Sequence, residues 1–366
     1  MAVREFRIAG DDPTNFDEAL PTETYFNVKP NIKFPKEYYK YFDKTVIGQE
    51  EAKQALSTAL FETQMRSRHD SKDKHPRLLL VGPTGCGKTM LIKSLSQLSE
   101  FITIVIDASQ LTGDGWSGDT KFKKEFLNQL TFSLSVQYKG EIPADVFATL
   151  SERIILVFDE FDKLSEHKAT HSHYDYKKII QDELLMFIDG VNFPLTGRYM
   201  LTVNEIPYLP TLDTSKFLVV VAGAFQSLHN QSKSNPMGFF TQPNLSELKK
   251  IDKNTLEEHG IMREMLGRID RVINLNPLSA DSYKAILKEQ ILPEYIAIFN
   301  EANIHPVFND SWIDSVIDKC MNKLEGARAL REIVQDLLAP YIFNIEDYAD
   351  TVVIDSGVQN VKVQIN

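Results

Sequence analysis

The sequence predicts an α/β fold, with an open, parallel five-stranded sheet in a large domain and a smaller, mostly helical domain after it. Three observations carry this expectation. Leu78-Leu79-Leu80-Val81 is an apolar run that leads into Gly82-Pro83-Thr84-Gly85-Cys86-Gly87-Lys88-Thr89 and then into a helix-like stretch, Met90 to Leu95. Ile154 to Phe158 is a second apolar run, and it ends in two adjacent acids, Asp159 and Glu160. Strand candidates at 78–81, 102–107, 154–158, 217–222 and 272–275 alternate with helical patterns, as crossover helices between parallel strands require.

The elements follow in order. Residues 1–40 are irregular in pattern, with acids, prolines and scattered aromatics (Phe16, Tyr25, Phe26, Phe34, Tyr38, Tyr39), and read as an N-terminal arm. Residues 41–277 hold the five strand candidates, with a polar, charged and exposed connection expected at 64–77. The pattern changes to helices near Asn276-Pro277, so the small domain is placed at 278–366. There Trp312, Ile313, Val316, Ile317, Cys320, Met321 and Leu324 recur at helical spacing, with Gly326 as a candidate stop and a late strand candidate at 351–354.

Composition sets bounds. The 366 residues are 43% hydrophobic, enough for a substantial core, and the formal charge of −11 disfavours a general grip on nucleic acid. The longest apolar run, Phe217 to Phe225, is too short for a bilayer span. The first residues are charged and lack the apolar segment of a secretory signal. Two cysteines, Cys86 and Cys320, do not make a disulfide framework or a four-cysteine zinc site. These features fit a protein of the cytoplasm or an organelle matrix, without nucleic acid or membrane among its partners.

The two motifs carry chemistry together. Gly82, Gly85 and Gly87 allow successive backbone N–H groups to curl round a polyphosphate, and the helix that follows directs its positive end at the same charge. Lys88 would reach the β- and γ-phosphates, and the Thr89 hydroxyl would ligate Mg²⁺. Asp159, at the carboxyl edge of its strand, would hold Mg²⁺ through water, and Glu160 would act as general base on the attacking water. A glycine turn and an ordinary strand end would each explain one motif. The pair in this order and context reads as nucleoside triphosphate hydrolysis. His167, His171 and His173 lie in one polar stretch, which reads as a solvated loop and not a metal site.

From about residue 35 to about 355 the chain resembles the ClpX group of AAA+ protein unfoldases. Val46-Ile47-Gly48-Gln49 resembles the segment that packs on adenine in that family, which implicates Val46 and Ile47. Asp107 to Thr112, followed by Gly115-Trp116-Ser117-Gly118, resembles the approach to the substrate-gripping pore loop. Asp213 to Leu218 and Gly223-Ala224-Phe225 resemble the strand after the second pore loop. Gly267-Arg268 matches the family's trans-acting arginine, and Gly326-Ala327-Arg328 its sensor-2 arginine. The tripeptide Met237-Gly238-Phe239 resembles the aliphatic–Gly–Phe loop by which the family docks on a barrel peptidase. The related HslU unfoldases are a weaker match, because the spacing leaves little room for their inserted domain.

This resemblance implies a phosphate-loop AAA+ large domain with a helical lid, ATP as nucleotide with Mg²⁺, a homo-hexameric ring and protein substrates drawn through its pore. It also implies a possible peptidase partner of the ClpP type. The chain departs from the family in four places. Gly-Trp-Ser-Gly stands where Gly-Tyr-Val-Gly is usual, and Gly197-Arg198-Tyr199-Met200 keeps only the arginine of the Arg-Lys-His pore-entrance motif. The cysteines of the N-terminal zinc domain are missing, and no polar residue follows the fourth strand candidate as sensor 1. Two other functions compete: remodelling of a dedicated protein complex without proteolysis, and a nucleic-acid motor or loader, which the acidic balance disfavours.

Overall fold

The computed structural model of the chain describes residues 7–9, 33–69, 73–111, 121–138, 141–143, 149–165, 176–194, 201–203, 206–208, 211–231, 250–323, 326–348 and 350–355. Five parallel strands form the central sheet: β1 (Arg77–Val81), β2 (Ile102–Asp107), β3 (Ile154–Asp159), β4 (Leu218–Gly223) and β5 (Arg271–Asn274). Their order across the sheet is β5-β1-β4-β3-β2, with every neighbouring pair parallel. The interior strands β1, β3 and β4 are almost wholly buried, and so they read as unbroken apolar runs. The edge strand β2 instead alternates buried and half-buried residues.

Alternate side chains of the sheet feed two cores. Leu79, Val81, Ile104, Leu156, Phe158, Val219 and Val221 join one face, which is covered by α4 (Lys121–Tyr138) and α5 (Tyr176–Asp189). An aromatic cluster of Phe122, Phe126, Phe158, Phe187, Phe193 and Phe217 fills this side, with ring centroids 5.0 to 6.4 Å apart. Leu78, Leu80, Ile155, Val157, Leu218, Val220 and Ala222 point the other way. They meet α1 (Pro35–Thr45), α2 (Glu50–Arg68) and α3 (Lys88–Ser96). The period-2 pleat thus sorts one apolar sequence into the two cores of a three-layer α/β/α body.

From Leu278 to Ile354 the described residues bury a third core of their own. It is built from α7 (Ala280–Ile286), a π-helical turn at Leu287–Ile291, α8 (Leu292–Glu301), α9 (Asp310–Asn322) and α10 (Ala327–Phe343). A short helix, α6 (Arg263–Arg268), precedes β5. The Ser279 side chain caps α7 by accepting from the Ser282 N–H at 3.1 Å. Strand β6 (His305–Phe308) lies parallel to β7 (Thr351–Ile354).

The structure departs from the sequence reading in several local places, among them short strands at Arg7–Ala9, Glu141–Pro143, Asn192–Pro194, Leu201–Val203, Ile206–Tyr208 and Thr211–Asp213 that match no strand candidate. The chain is already helical from Pro35, inside the stretch read as irregular, because Tyr38 and Phe42 sit one turn apart and bury together. The connection expected to be exposed from residue 64 is helical to Arg68, and His75 and Arg77 within it are buried. Gly326 does not end α9, whose cap is Lys323; it precedes α10 instead. Strand β6 has no counterpart among the strand candidates, since its four residues only alternate exposed and half-buried. Among the described residues, no helix is long and apolar enough to cross a membrane.

Candidate nucleotide site

Strand β1 ends at Val81 and β3 at Asp159, with β4 between them in register: Gly223 lies opposite Val81, and Val221 opposite Phe158. The loop 82–87 and the acids therefore share the carboxyl edge of the sheet, about 10 Å apart from the spacing of two strands. Such an edge, beside the point where strand order reverses, is where open α/β sheets bind ligands.

Three positions of the loop call for glycine. Gly85 and Gly87 have φ of +74° and +110°. A Cβ at Gly82 would fall 2.7 Å from the Leu275 side chain, just past β5. Lys88 opens α3 and is buried, and its ammonium donates to the carbonyls of Gly82 (2.5 Å) and Pro83 (2.9 Å). It also contacts the Cys86 thiol at 3.9 Å, and among the described residues no carboxylate forms an ion pair with it, so the buried positive charge has no direct anionic partner. An anion is the partner this arrangement lacks, and a polyphosphate fits a glycine cradle at a helix N-terminus. Thr89 is exposed on the first turn of α3, while Pro83 and Thr84 are half-buried. Cys86 is buried, and burial holds its thiol above the ordinary range, which leaves little thiolate for oxidation.

Asp159 and Glu160 are both less acidic than usual, with burial the largest cause. For Asp159 the Glu160 N–H (2.9 Å), Lys88 and Arg328 act in the opposite sense, while Asp107, its register partner on β2, adds to the rise. For Glu160 the neighbouring carboxylates Asp162 and Asp159 add to it. Glu160 adopts φ +54° at the turn out of β3. Asp162 is buried and accepts from the Ala224 N–H at 2.9 Å, tying the ends of β3 and β4 together.

Two further elements close on the loop. Val46 is buried and Ile47 half-exposed, and Gly87 faces both Val46 and Gln49. On the other side, Gly326 at the start of α10 is so near that a Cβ there would lie 2.6 Å from the Gly85 backbone, and the Ala327 N–H donates to the Gly85 carbonyl at 3.1 Å. Arg328, on the first turn of α10, is thereby brought within electrostatic reach of Asp159.

Residues 78–228 match the family model described as ATPase family associated with various cellular activities (AAA). The chain is 28% identical to the ATP-dependent Clp protease ATP-binding subunit ClpX 2 of Wolinella succinogenes, over 87% of this chain and 79% of that protein. It is 29% identical to the ClpX subunit of Treponema denticola, over 88% of this chain and 80% of that one. The same identity holds to the ClpX subunit of Bacteroides thetaiotaomicron, over 88% and 79%. These similarities support a ClpX-type AAA+ ATPase. Its phosphate-loop α/β body followed by a helical part is the AAA+ arrangement expected from the sequence.

Among the described residues the structure gathers Val46, the loop 82–89, Asp159, Glu160 and Arg328 at one edge. Arg268 is placed differently: its guanidinium pairs with both oxygens of Asp189 at the end of α5, and Lys74 reaches the same carboxylate at 3.5 Å. Gly115-Trp116-Ser117-Gly118, Met237-Gly238-Phe239 and the three histidines lie outside the described residues. The sequence reading gave no individual role to Asp162. Its signal was a third acid two residues beyond the pair, at the start of a 3₁₀ turn.

Proposed function

We propose that this ATPase is the ring-forming subunit of an ATP-driven protein unfoldase. In this reading a homo-hexamer grips an extended polypeptide with Trp116, between Gly115 and Ser117-Gly118, and passes it through a central pore. Met237-Gly238-Phe239 would dock a barrel peptidase of the ClpP type. The likeness to ClpX subunits along nearly nine-tenths of the chain supports this. The observation that carries it in the structure is the contact of Gly326 with Gly85. Whatever fills the phosphate loop presses on the start of α10, so the nucleotide has a direct mechanical route to the helical part, which we take as a lid at 278–366 against a large domain at 41–277.

Each residue has a role in that reading. The Lys88 ammonium would leave the Gly82 and Pro83 carbonyls for phosphate oxygens, and the backbone N–H groups of the loop would surround the same charge. Thr89, and Asp159 through water, would hold Mg²⁺, which when bound neutralises charge on the phosphates. Glu160, whose acidity burial weakens, is suited to accept a proton from the attacking water. Val46 and Ile47 would flank the adenine of ATP. Arg328 would read the γ-phosphate in its own subunit, and Arg268 would act on that of a neighbour.

The test is ATP-dependent loss of fluorescence from a stably folded, tagged fluorescent protein, with and without a ClpP-type peptidase. Peptidase-dependent loss is the expected result. ATP hydrolysis with no unfolding in either arm would overturn threading and leave remodelling of a dedicated complex. Degradation unaffected by replacing Met237 and Phe239 would remove the proposed dock.

A further inference from the structure

One side chain outside the glycine loop does more there than pack. Gln49 donates through Nε2 to the Cys86 carbonyl at 2.9 Å and to the Asn276 carbonyl at 2.7 Å. Its Oε1 accepts from the Asn276 N–H at 3.1 Å. The amide therefore joins the phosphate loop to the residue where the chain leaves β5 for the helical part, 227 positions away. The backbone is bent to allow it: Gly48 and Gln49 have φ of +72° and +60°, a left-handed pair that glutamine adopts only at a cost. The same strap touches the helical part elsewhere. Gln290 of the π turn donates to the Thr45 carbonyl at 3.0 Å, and Gly48 faces the Ser282 hydroxyl of α7.

The Cys86 contact has a directional consequence. A trans peptide is planar, so its C=O and the next N–H point in opposite directions. Holding the Cys86 oxygen on the Gln49 side turns the Gly87 N–H away from the strap. Among the described residues that N–H has no protein acceptor. The neighbouring Gly85 carbonyl is held separately, by the Ala327 N–H of α10. Two consecutive carbonyls of the loop are thus pinned by two different elements, and both elements connect to the helical part.

We propose that Gln49 is a positioning residue for ATP hydrolysis, which sets the Gly87 N–H for phosphate and links that setting to the joint at Asn276. The proposal rests on the reading of loop 82–89 as the phosphate site. Gln49→Met keeps the length and apolar stem against Gly87 but loses all three hydrogen bonds. Gln49→Glu keeps the acceptor for Asn276 and sets an oxygen against two carbonyl oxygens. Gln49→Asn suits the left-handed backbone but is too short to reach, and it serves as the second variant should either of the others fold poorly.

The experiment is equilibrium binding of a fluorescent ATP analogue, alongside KM and kcat for ATP and amide hydrogen exchange at Asn276 in nucleotide-free protein. Met and Asn are expected to weaken binding about tenfold, from the loss of one charge-independent link and of loop order, with Glu weaker still. KM should rise more than kcat falls, and exchange at Asn276, whose N–H donates to Gln49 Oε1 beside the loop, should quicken in Gln49→Met before any nucleotide is added. Wild-type affinity and exchange in Gln49→Met would reduce Gln49 to packing and overturn the proposal. Lys88→Met is measured in parallel. Loss of binding there with none in Gln49→Met sinks the Gln49 role alone, whereas full binding in Lys88→Met sinks the phosphate-site reading beneath it.

Discussion

Glu160 holds a left-handed backbone at φ +54°, which a glutamate adopts at a cost of roughly 1–2 kcal/mol. Strain of this kind persists where the surrounding structure over-determines it, often at functional sites. Here the turn throws the carboxylate out at the sheet edge beside Asp159. If Glu160 has the proposed role of general base, Glu160→Gln should lower hydrolysis by about 10²–10⁴-fold and leave ATP binding intact, read by steady-state turnover against nucleotide titration. It also has a sign in stability. Burial raises the Glu160 pKa, so the folded chain gives up that proton less readily than the unfolded chain, and stability is lost as pH rises through this range. The variant should therefore melt higher than wild type at neutral pH, with the gap closing below the ordinary carboxylate range. His75 has the opposite dependence. Burial, with Arg66 and Lys216 nearby, lowers its pKa to about 4, so the fold keeps it neutral while the unfolded chain protonates near 6.5. Its contribution is complete above 6.5 and falls away toward pH 4, by up to about 3 kcal/mol. A His75→Gln variant should show a flatter melting-temperature profile between these limits. The loop glycines, Lys88 and the two acids were legible because local spacing alone defines them. Gln49 was not, since its partners lie at 86 and 276 and nothing in its own segment announces them.

Among elements, the interior strands were readable to within a residue at either end, because a strand buried on both faces has no choice but to be continuously apolar. Strand β6 escaped notice for the converse reason: His305 and Val307 are exposed, and its partner β7 lies more than forty residues on. Gly326 shows how an element boundary can be found and its purpose missed. A glycine after a helical pattern suggests a stop. This one has φ +64° and sits where only a hydrogen fits against the Gly85 backbone, so it serves the start of α10. Gly326→Ala would add a methyl 2.6 Å from that backbone in a conformation an alanine resists. The expected cost is about 1–3 kcal/mol of stability. Because α10 must then retreat from the loop, nucleotide affinity should fall as well, by calorimetric titration. A variant that melts lower yet binds ATP normally would separate α10 from the site.

At the scale of the whole molecule, the distribution of charge at the end of α5 bears on the proposed ring. Arg268 is exposed and engages Asp189 of its own chain. Exposed pairs of this sort are screened by solvent and contribute little net stability, so the guanidinium can exchange its carboxylate for a stronger anion at little cost. The charge built up in phosphoryl transfer is such an anion, and in a head-to-tail ring the neighbouring subunit would present it. Arg268→Ala should then abolish hydrolysis while sparing ATP binding, as Glu160→Gln does by a different route. Mixing the two inactive proteins distinguishes action across subunits from action within one. An Arg268→Ala subunit retains Glu160, and a Glu160→Gln neighbour retains Arg268, so an interface with the two in that order has one complete site. Random mixing at equal amounts makes about a quarter of interfaces complete, and hydrolysis should recover toward that fraction. An Arg268 that served its own subunit would leave every site in the mixture broken, and the mixed rings would stay as silent as either protein alone.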